Sequence, residues 1–479
     1  MPLHFTFHVS RFKSHGFSDS RLLMNDTIAA IATPVGEGGI GIIRLSGKEA
    51  VAIADSVFTA RGQKKLRDRP SHTVTYGFIV DPVLGGKVDE VLATVMLAPR
   101  TYTREDVVEV NCHGGIIPLK KVLGLLLAGG ARMAEPGEFT KRAFLNGRID
   151  LSQAEAVIDV IRARSDRAEQ MALAQLEGKL SKRMSALLER ITVLCANVEV
   201  QIDFPDDEPD TFNKGEVLGI MGDISAELSE IISGYEAGRF FRDGAATAIV
   251  GKPNVGKSSL LNALLDKNRA IVTEMPGTTR DVVEDILNID GLPLRIMDTA
   301  GIRESHDPAE SEGIRRSLSA IECADIVIAV LDSSKPFDKA DADLLRAVRH
   351  KKALVVINKC DIRSPDFVIP AEPANFVEAS ALTGAGLREL KDLIYRLCVS
   401  SMVQVDAETF LVTNMRHKHA LDLASHAIAE AMNSIENNIP LEIAAMFLRE
   451  ALDHIGTITG VVTTEDILNK IFSEFCIGK

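Results

Sequence analysis

The chain has only six cysteines in 479 residues, at positions 112, 195, 323, 360, 398 and 476, and no two form a CxxC pair or share a metal-ligand spacing. That pattern offers neither a disulfide framework nor a metal knuckle and suits reduced thiols in a cytosol-like compartment. No run of about 18 uninterrupted apolar residues occurs, so no membrane span is expected. Positive charge is short as well: 54 Lys and Arg stand against 67 Asp and Glu, a net charge of −13 with a pI near 5.4. A coat of positive charge for indiscriminate nucleic-acid binding is thereby excluded, although a local basic face is not. Aromatics make up 5%, hydrophobic residues 46% and charged residues 25%, the balance of a globular, helix-rich protein. Internal repeats and low-complexity tracts are absent. The length is too great for one core and points to roughly two to four domains.

Residues 1–23 hold one acid, Asp19, against Arg11, Lys13 and Arg21, with four serines. They resemble a mitochondrial transit peptide weakly, or an upstream extension before a second start at Met24. From 24 to 147, short apolar runs alternate with Gly and Pro, as in IGIIRLSG, TVTYGFIV and VVEVNCHGG, and predict a small α+β domain. After Asp150 the period becomes helical. Ser152 with Glu155 suggests a capping box, and Leu173, Leu176, Leu180, Met184, Leu187, Ile191 and Leu194 recur at helical spacing until Pro205 and Pro209. Another helix is expected over roughly 213–237. Residues 244–400 then alternate buried, parallel-type strands with helices, an α/β pattern, and 401–479 read as helical again, so 148–243 and 401–479 would form one helical domain around an insertion.

The insertion opens with GKPNVGKS, a G-x-x-x-x-G-K-S between a strand at 248–250 and a helix from about Ser258. In that context the loop through Asn254, Val255, Gly256, Lys257, Ser258 and Ser259 would cradle phosphates with successive N–H groups and the helix N-terminus. Lys257 would neutralise β- and γ-oxygens and Ser258 would hold Mg²⁺. DTAG, with Asp298, Thr299, Ala300 and Gly301, follows the strand LRIM, so that Asp298 can reach the Mg²⁺ shell and Gly301 can offer its N–H to the γ-phosphate. NKCD places Asn358, Lys359 and Asp361 at the end of the strand ALVVI, and Asp361 can accept the N1 and N2 protons that guanine presents and adenine does not. ATP would leave that acceptor unpaired at a cost of about 1–3 kcal/mol or more. ASAL, with Ser380, Ala381 and Leu382, would meet the base from the other side. The expected nucleotide is GTP.

GTTRD lies where a switch loop belongs, with Gly277 followed by the hydroxyls of Thr278 and Thr279. Directly after DTAG stands Ile302, where Ras-like enzymes place a water-orienting glutamine; isoleucine cannot hydrogen-bond a water. Catalysis must recruit polar groups elsewhere. Asn254 could coordinate a monovalent cation near the β/γ bridge, or simply tolerate a tight turn.

The flanking segments NDTIAAIATPVGEGGIGIIRLSG, PGEFTKRAFLNGRIDLSQAEAVIDVI, IDFP, AIVTEMPGTTRD, TNMRH and ITGVVTTEDILNKIFSEFCIGK together resemble the MnmE (TrmE) family of tRNA-modification GTPases over 25–479. The resemblance implies an N-terminal tetrahydrofolate-binding domain, a helical domain built from both sides of the chain, and an inserted Ras-like GTPase domain. It implies a cytoplasmic homodimer that assembles with the FAD-carrying flavoprotein MnmG into a heterotetramer. That assembly would build a carboxymethylaminomethyl or aminomethyl group on C5 of the wobble uridine in certain tRNAs, with 5-formyltetrahydrofolate or a related folate as one-carbon source. Matched motif by motif, Arg44, Glu109, Arg148 and Lys479 would bind the folate; many relatives have Lys at position 148, and Arg does not place its donors as Lys does. Asn254 and Thr278, with carbonyls of Thr273 and Met275, match K⁺ ligands, and Ser258 and Thr279 match Mg²⁺ ligands. Glu274, Pro276 and Gly277 complete the switch segment beside the nucleotide, and Glu310 matches the group credited with orienting the attacking water through another water. On the sequence alone, Glu310 reads rather as a solvated helix-face acid.

Cys476, fourth from the last residue, has the position of a prenylated cysteine, but Gly478 is not aliphatic and Lys479 does not suit the final place. The resemblance instead directs this tail to the folate site and implicates Cys476 in the modification chemistry. Two rivals are a ribosome-assembly GTPase, which would show an RNA-binding domain after the GTPase motifs or a second P-loop, and a membrane-recruited signalling GTPase, which would need a usable lipid signal. The sequence offers none of these.

Overall fold

The computed structural model describes residues 26–61, 64–203, 213–265, 285–297, 319–368, 375–399 and 412–479. Two compact units emerge, Met1–Ile158 with Gly456–Lys479, and Asp159–Ile455.

The first unit is built on β1 (Ile28–Ile31), β2 (Gly38–Ser46), β3 (Phe58–Ala60), β4 (Thr73–Val80), β5 (Lys87–Met96), β6 (Val107–Gly114) and β7 (Arg132–Met133), in the order β3-β4-β5-β6-β2-β1-β7. Only β1 and β7 run parallel. The period-two alternation of the sequence decides which face is covered. Ile43 and Leu45, Val91, Ala93 and Val95, and Val108, Val110 and Cys112 point to one face, where the helices Ala50–Val57 and Ile116–Ala128 bury them. Their neighbours, Arg44 and Glu109 among them, point to the other, and Val74, Tyr76 and Leu92 stay exposed. A second core joins the helix Glu138–Leu145 to the helix Glu465–Ser473 through Ala143, Leu151, Ala154, Ile158, Leu468, Phe472 and Phe475.

The helix Leu151–Arg162 corrects one expectation. Ser152 lies inside it, and the capping pair sits two residues earlier: Asp150 Oδ1 accepts from the N–H of Gln153 at 2.9 Å, and the N–H of Asp150 donates to Gln153 Oε1 at 3.0 Å. Asp with Gln meets the same chemical requirement as Ser with Glu, two orphan donors satisfied reciprocally, so either register was readable from the sequence.

In the second unit, the expected apolar stripe divides between the helices Asp166–Leu176 and Lys179–Asp203. Leu180, Met184, Leu187, Ile191 and Leu194 are buried, whereas Leu173 is exposed because it lies off the face that Ala168, Met171, Ala172 and Gln175 bury on the first of the two helices. The helix expected over 213–237 is likewise two, Lys214–Ser233 and Tyr235–Asp243, meeting at Gly234. Helices Met415–Glu436 and Leu441–Thr459 supply the later part. A six-stranded sheet follows the order β13-β12-β11-β8-β10-β9, with β8 at Ala245–Val250, β9 at Asp285–Ile289, β10 at Leu292–Ile296, β11 at Ile326–Asp332, β12 at Lys352–Asn358 and β13 at Phe376–Glu378. Every pair is parallel except β9 with β10. Strands β8 and β11 are buried along their whole length, which is why they read as unbroken apolar runs. Among the described residues no helix is long and apolar enough to cross a membrane.

Candidate functional site

The open end of the parallel sheet, at the carboxyl ends of its strands, is where an α/β fold presents loops to a ligand. Strand β8 leads into residues 251–256, and the helix Lys257–Leu265 follows at once. Asn254 adopts φ +65° and Gly256 φ +99°, so backbone N–H groups can turn to one side as a concave nest. The Lys257 ammonium donates to the carbonyls of Gly251 and Lys252 at 2.8 and 2.9 Å, and burial pushes it below its ordinary pKa. A phosphate at the mouth would oppose that shift, since a nearby anion favours the charged form.

Strand β12 ends beside this loop and is fastened to it. Asn358 Nδ2 donates to the carbonyl of Val255 at 2.8 Å, and Asn358 Oδ1 accepts from the N–H of Ala381 at 3.1 Å. One side chain thus binds the phosphate loop to the 379–382 segment. The contact leaves no room at Gly256, where an added Cβ would sit 2.3 Å from Asn358 Nδ2. Lys359, at φ +63°, sends its ammonium to the carbonyl of Asn254 at 2.9 Å and to Asp332 Oδ2 at 2.7 Å. Burial raises the Asp332 carboxyl, but the hydrogen bonds from Lys359 and Ser334 outweigh it and hold the group below its usual range. Asp361 follows in a 3-10 turn at Cys360–Ile362 and is exposed, Ser380 is fully buried, and Leu382 is exposed. The Asn254 side chain has no partner among the described residues.

Of the residues expected at this site, Asn254, Val255, Gly256, Lys257, Ser258, Ser259, Asn358, Lys359, Asp361, Ser380, Ala381 and Leu382 are described and lie on these connected loops. Thr273, Glu274, Met275, Pro276, Gly277, Thr278, Thr279, Asp298, Thr299, Ala300, Gly301 and Glu310 lie outside the described residues. Sequence reasoning passed over Asp332 and Lys252. Asp332 ends a buried strand just as Asn358 does, which was the available signal. Lys252, within the phosphate loop, donates to Asp338 and Asp341 at 2.8 and 2.7 Å, where those two carboxylates cap the helix Lys339–Val348.

The first unit gathers a second cluster. Arg44 on β2 and Glu109 on β6 are register partners, and the Arg44 Nε donates to Glu109 Oε1 at 2.8 Å. The Arg44 guanidinium carbon lies 5.6 Å from the centre of the Tyr102 ring and 5.7 Å from that of Phe139, while Arg148 lies 4.5 Å from Tyr102. The end of the chain joins them. Pro136 and Ile477 form a bridge, the Gly137 N–H donates to the Cys476 carbonyl at 3.4 Å, and the Phe139 N–H donates to the Lys479 carbonyl at 3.2 Å. Gly478, at φ +99°, lets the tail pass where an added Cβ would be 2.4 Å from the Ile31 carbonyl. Burial, and then the Arg44 charge, push the Lys479 ammonium below its ordinary pKa. Cys476 is exposed. Arg44, Glu109, Arg148, Lys479 and Cys476 are therefore all carried by this unit, with two aromatic rings that the sequence did not mark, the half-buried Tyr102 beside Arg44 and Arg148 and the fully buried Phe139 beside Arg44.

A family model described as MnmE helical domain matches residues 151–476, and one described as GTP-binding protein TrmE N-terminus matches residues 27–148. A tRNA modification GTPase MnmE of Acetivibrio thermocellus is 46% identical over 95% of this chain and 99% of its own length. Proteins of the same name from Carboxydothermus hydrogenoformans and Geobacter metallireducens are each 47% identical, over 95% and 96% of this chain respectively and 100% of their own lengths. Since the helical-domain match spans most of the sequence and these relatives align along nearly their whole lengths, the chain belongs to the MnmE family of tRNA modification GTPases.

Proposed function

We propose that this protein hydrolyses GTP and couples that reaction to modification of tRNA. Working as a homodimer with an FAD-carrying partner of the MnmG type, it would install a carboxymethylaminomethyl or aminomethyl group at C5 of the wobble uridine in the cytoplasm. The observation that carries the reading is the stapling of the phosphate loop to the NKCD and ASAL segments by Asn358 and Lys359, which gives phosphate and guanine recognition one rigid frame. The names and full-length alignment of the relatives support the link to tRNA.

Within that frame Lys257 and the loop N–H groups hold the phosphates, and Asp361 accepts from guanine. The donor set suits the ions: Ser258 offers a hard hydroxyl oxygen for Mg²⁺, with Thr279, and the unpartnered amide of Asn254 suits K⁺, with Thr278 and the carbonyls of Thr273 and Met275. Glu310 would orient the attacking water in place of the glutamine that Ile302 replaces.

In the first unit the Lys479 ammonium, depressed by burial and by Arg44, fits an anionic ligand, and the half-buried Tyr102 fits a flat ring. A reduced folate meets both demands, with Arg44, Glu109, Arg148 and Lys479 holding it. When bound, it supplies the one-carbon unit. The test is nucleoside mass spectrometry of tRNA from cells with and without the gene: the modified wobble uridines should disappear with it, and unchanged nucleosides would remove the proposal.

A further inference from the structure

Residues 61–72, RGQKKLRDRPSH, carry Arg61, Lys64, Lys65, Arg67 and Arg69 against the single acid Asp68, in a chain whose net charge is −13. This segment leaves the edge strand β3 and enters β4 at Thr73, whose register partner is Val95 near the end of β5. The turn at 97–100, which follows β5, is therefore at the same end of the sheet and adds Arg100.

The segment is fixed to the sheet. The Asp55 carboxylate accepts from the N–H of Leu66 and from Arg67 Nε, each at 2.7 Å, and Leu66 is fully buried beneath. The His72 N–H donates to the Val95 carbonyl at 2.7 Å, and the Leu97 N–H donates to Ser71 Oγ at 2.9 Å. An open cleft lined by Ser71, His72, Leu97, Ala98, Pro99 and Arg100 separates loop and turn.

Of these cations only Arg67 has a carboxylate partner; among the described residues Arg61, Lys64, Lys65, Arg69 and Arg100 form no ion pair. The Nε of Arg69 is buried with no hydrogen-bond partner among the described residues, a donor whose desolvation none of them offsets. Arg61 lies 6.0 Å from the ring centre of the exposed Tyr76, so an aromatic face flanks the charges. Five cations without an ion pair among the described residues, in a chain of net charge −13, fit an anionic partner with several regularly spaced charges.

We propose that Arg61, the 64–72 loop and the 97–100 turn form a docking face for the phosphate backbone of a folded RNA. The inference rests on the proposed action on tRNA and names the surface that would hold it. An anionic membrane fits less well, because Leu66, the one large apolar residue of the 64–72 stretch, is buried and the 97–100 turn offers only Leu97 to lipid.

The test uses the full-length protein and unmodified tRNA transcript, with affinity measured by fluorescence anisotropy across a salt series. The variant Lys64→Ala/Lys65→Ala/Arg100→Ala should bind about tenfold or more weakly, and its log affinity should fall less steeply with log salt, by about 0.7–0.9 for each phosphate contact removed. The control Lys120→Ala/Lys121→Ala, on the exposed side of the helix Ile116–Ala128, should bind as the parent does. GTP hydrolysis and the melting midpoint should be unchanged in both. Parent-like affinity and salt slope in the triple variant would overturn the proposal, as would no binding of tRNA by the parent. Binding of phosphatidylserine vesicles that is lost in the triple variant while tRNA binding persists would overturn it in favour of a membrane. If the gene is still required for the wobble modification in any of these cases, the docking face fails and the proposed function stands.

Discussion

The ammonium of Lys359 donates to the backbone carbonyl of Asn254, and the same ammonium is held by Asp332. A lysine from the base-reading segment thereby positions the residue proposed to bind K⁺, so base recognition and cation binding share a support. GTP hydrolysis should be slow in Na⁺ and markedly faster in K⁺. Asn254→Ala should bring the K⁺ rate down to the Na⁺ rate. Turnover assays in the two salts check this; equal parent rates, or a K⁺ response that persists in the variant, would count against it.

Asp361 is exposed on its 3-10 turn and free to meet a base. Asp361→Asn exchanges an acceptor for a group that can donate, so GTP should bind about 10–100-fold more weakly and xanthosine triphosphate should gain. Competition binding decides the matter, since retained preference for GTP contradicts the assignment.

Cys476 is carried by the first unit, whereas the phosphate loop and NKCD belong to the second. Cys476→Ser should leave GTP hydrolysis nearly intact and abolish wobble-uridine modification. A serine variant that modifies tRNA at the normal rate would make the thiol structural.

Gly478→Ala should damage the same tail differently, by placing a Cβ against the Ile31 carbonyl at a positive φ. The expected cost is about 1–3 kcal/mol of local stability. Calorimetry with 5-formyltetrahydrofolate should then register weaker binding, while GTP affinity stays unchanged. Deletion of 476–479 should weaken folate at least as much.

Acid should loosen the first unit through one network. Arg142, only 1% exposed, binds Asp26, Glu105 and Glu138, and Arg132 binds Asp26 and Glu138 as well. Burial raises the carboxyls of Asp26 and Glu138, yet the hydrogen bonds from the two arginines outweigh it and hold both below their usual range. The folded state therefore binds fewer protons than the unfolded chain there. The stabilisation is in place above the ordinary carboxylate range and disappears as pH falls through the lowered values. Melting midpoints between pH 7 and pH 3 should drop, with a shallower drop in Asp26→Asn. Arg142→Met should cost about 1–3 kcal/mol at neutral pH, because the partly buried Glu105 loses its arginine while Asp26 and Glu138 keep only Arg132.

What the sequence could disclose was set by how local the physics is. GKPNVGKS and NKCD were legible because phosphate and base contacts fix both residue type and spacing within a few positions, and β11 and β12 were legible because burial on both faces demands an unbroken apolar run. Breaks at Gly178 and Gly234 were harder, since a helical stripe continues across a short turn without losing its period. The places of Tyr102 and Phe139 beside Arg44 were invisible in the text, because each depends on a neighbour far along the chain and no local pattern encodes such a meeting.

The bridge between Pro136 and Ile477 has a consequence in time as well as in space. A ribosome delivers residues in order, and the whole of Asp159–Ile455 must emerge between the two halves of the first unit. During synthesis the sheet of that unit has to wait with the Ile31 and Phe139 backbone uncovered, while the inserted unit can already close on its own core. Maturation of the first unit is thus paced by translation of the second, and a ribosome stalled beyond the GTPase motifs would display the second unit's loops on a chain whose other cluster still lacks Cys476 and Lys479.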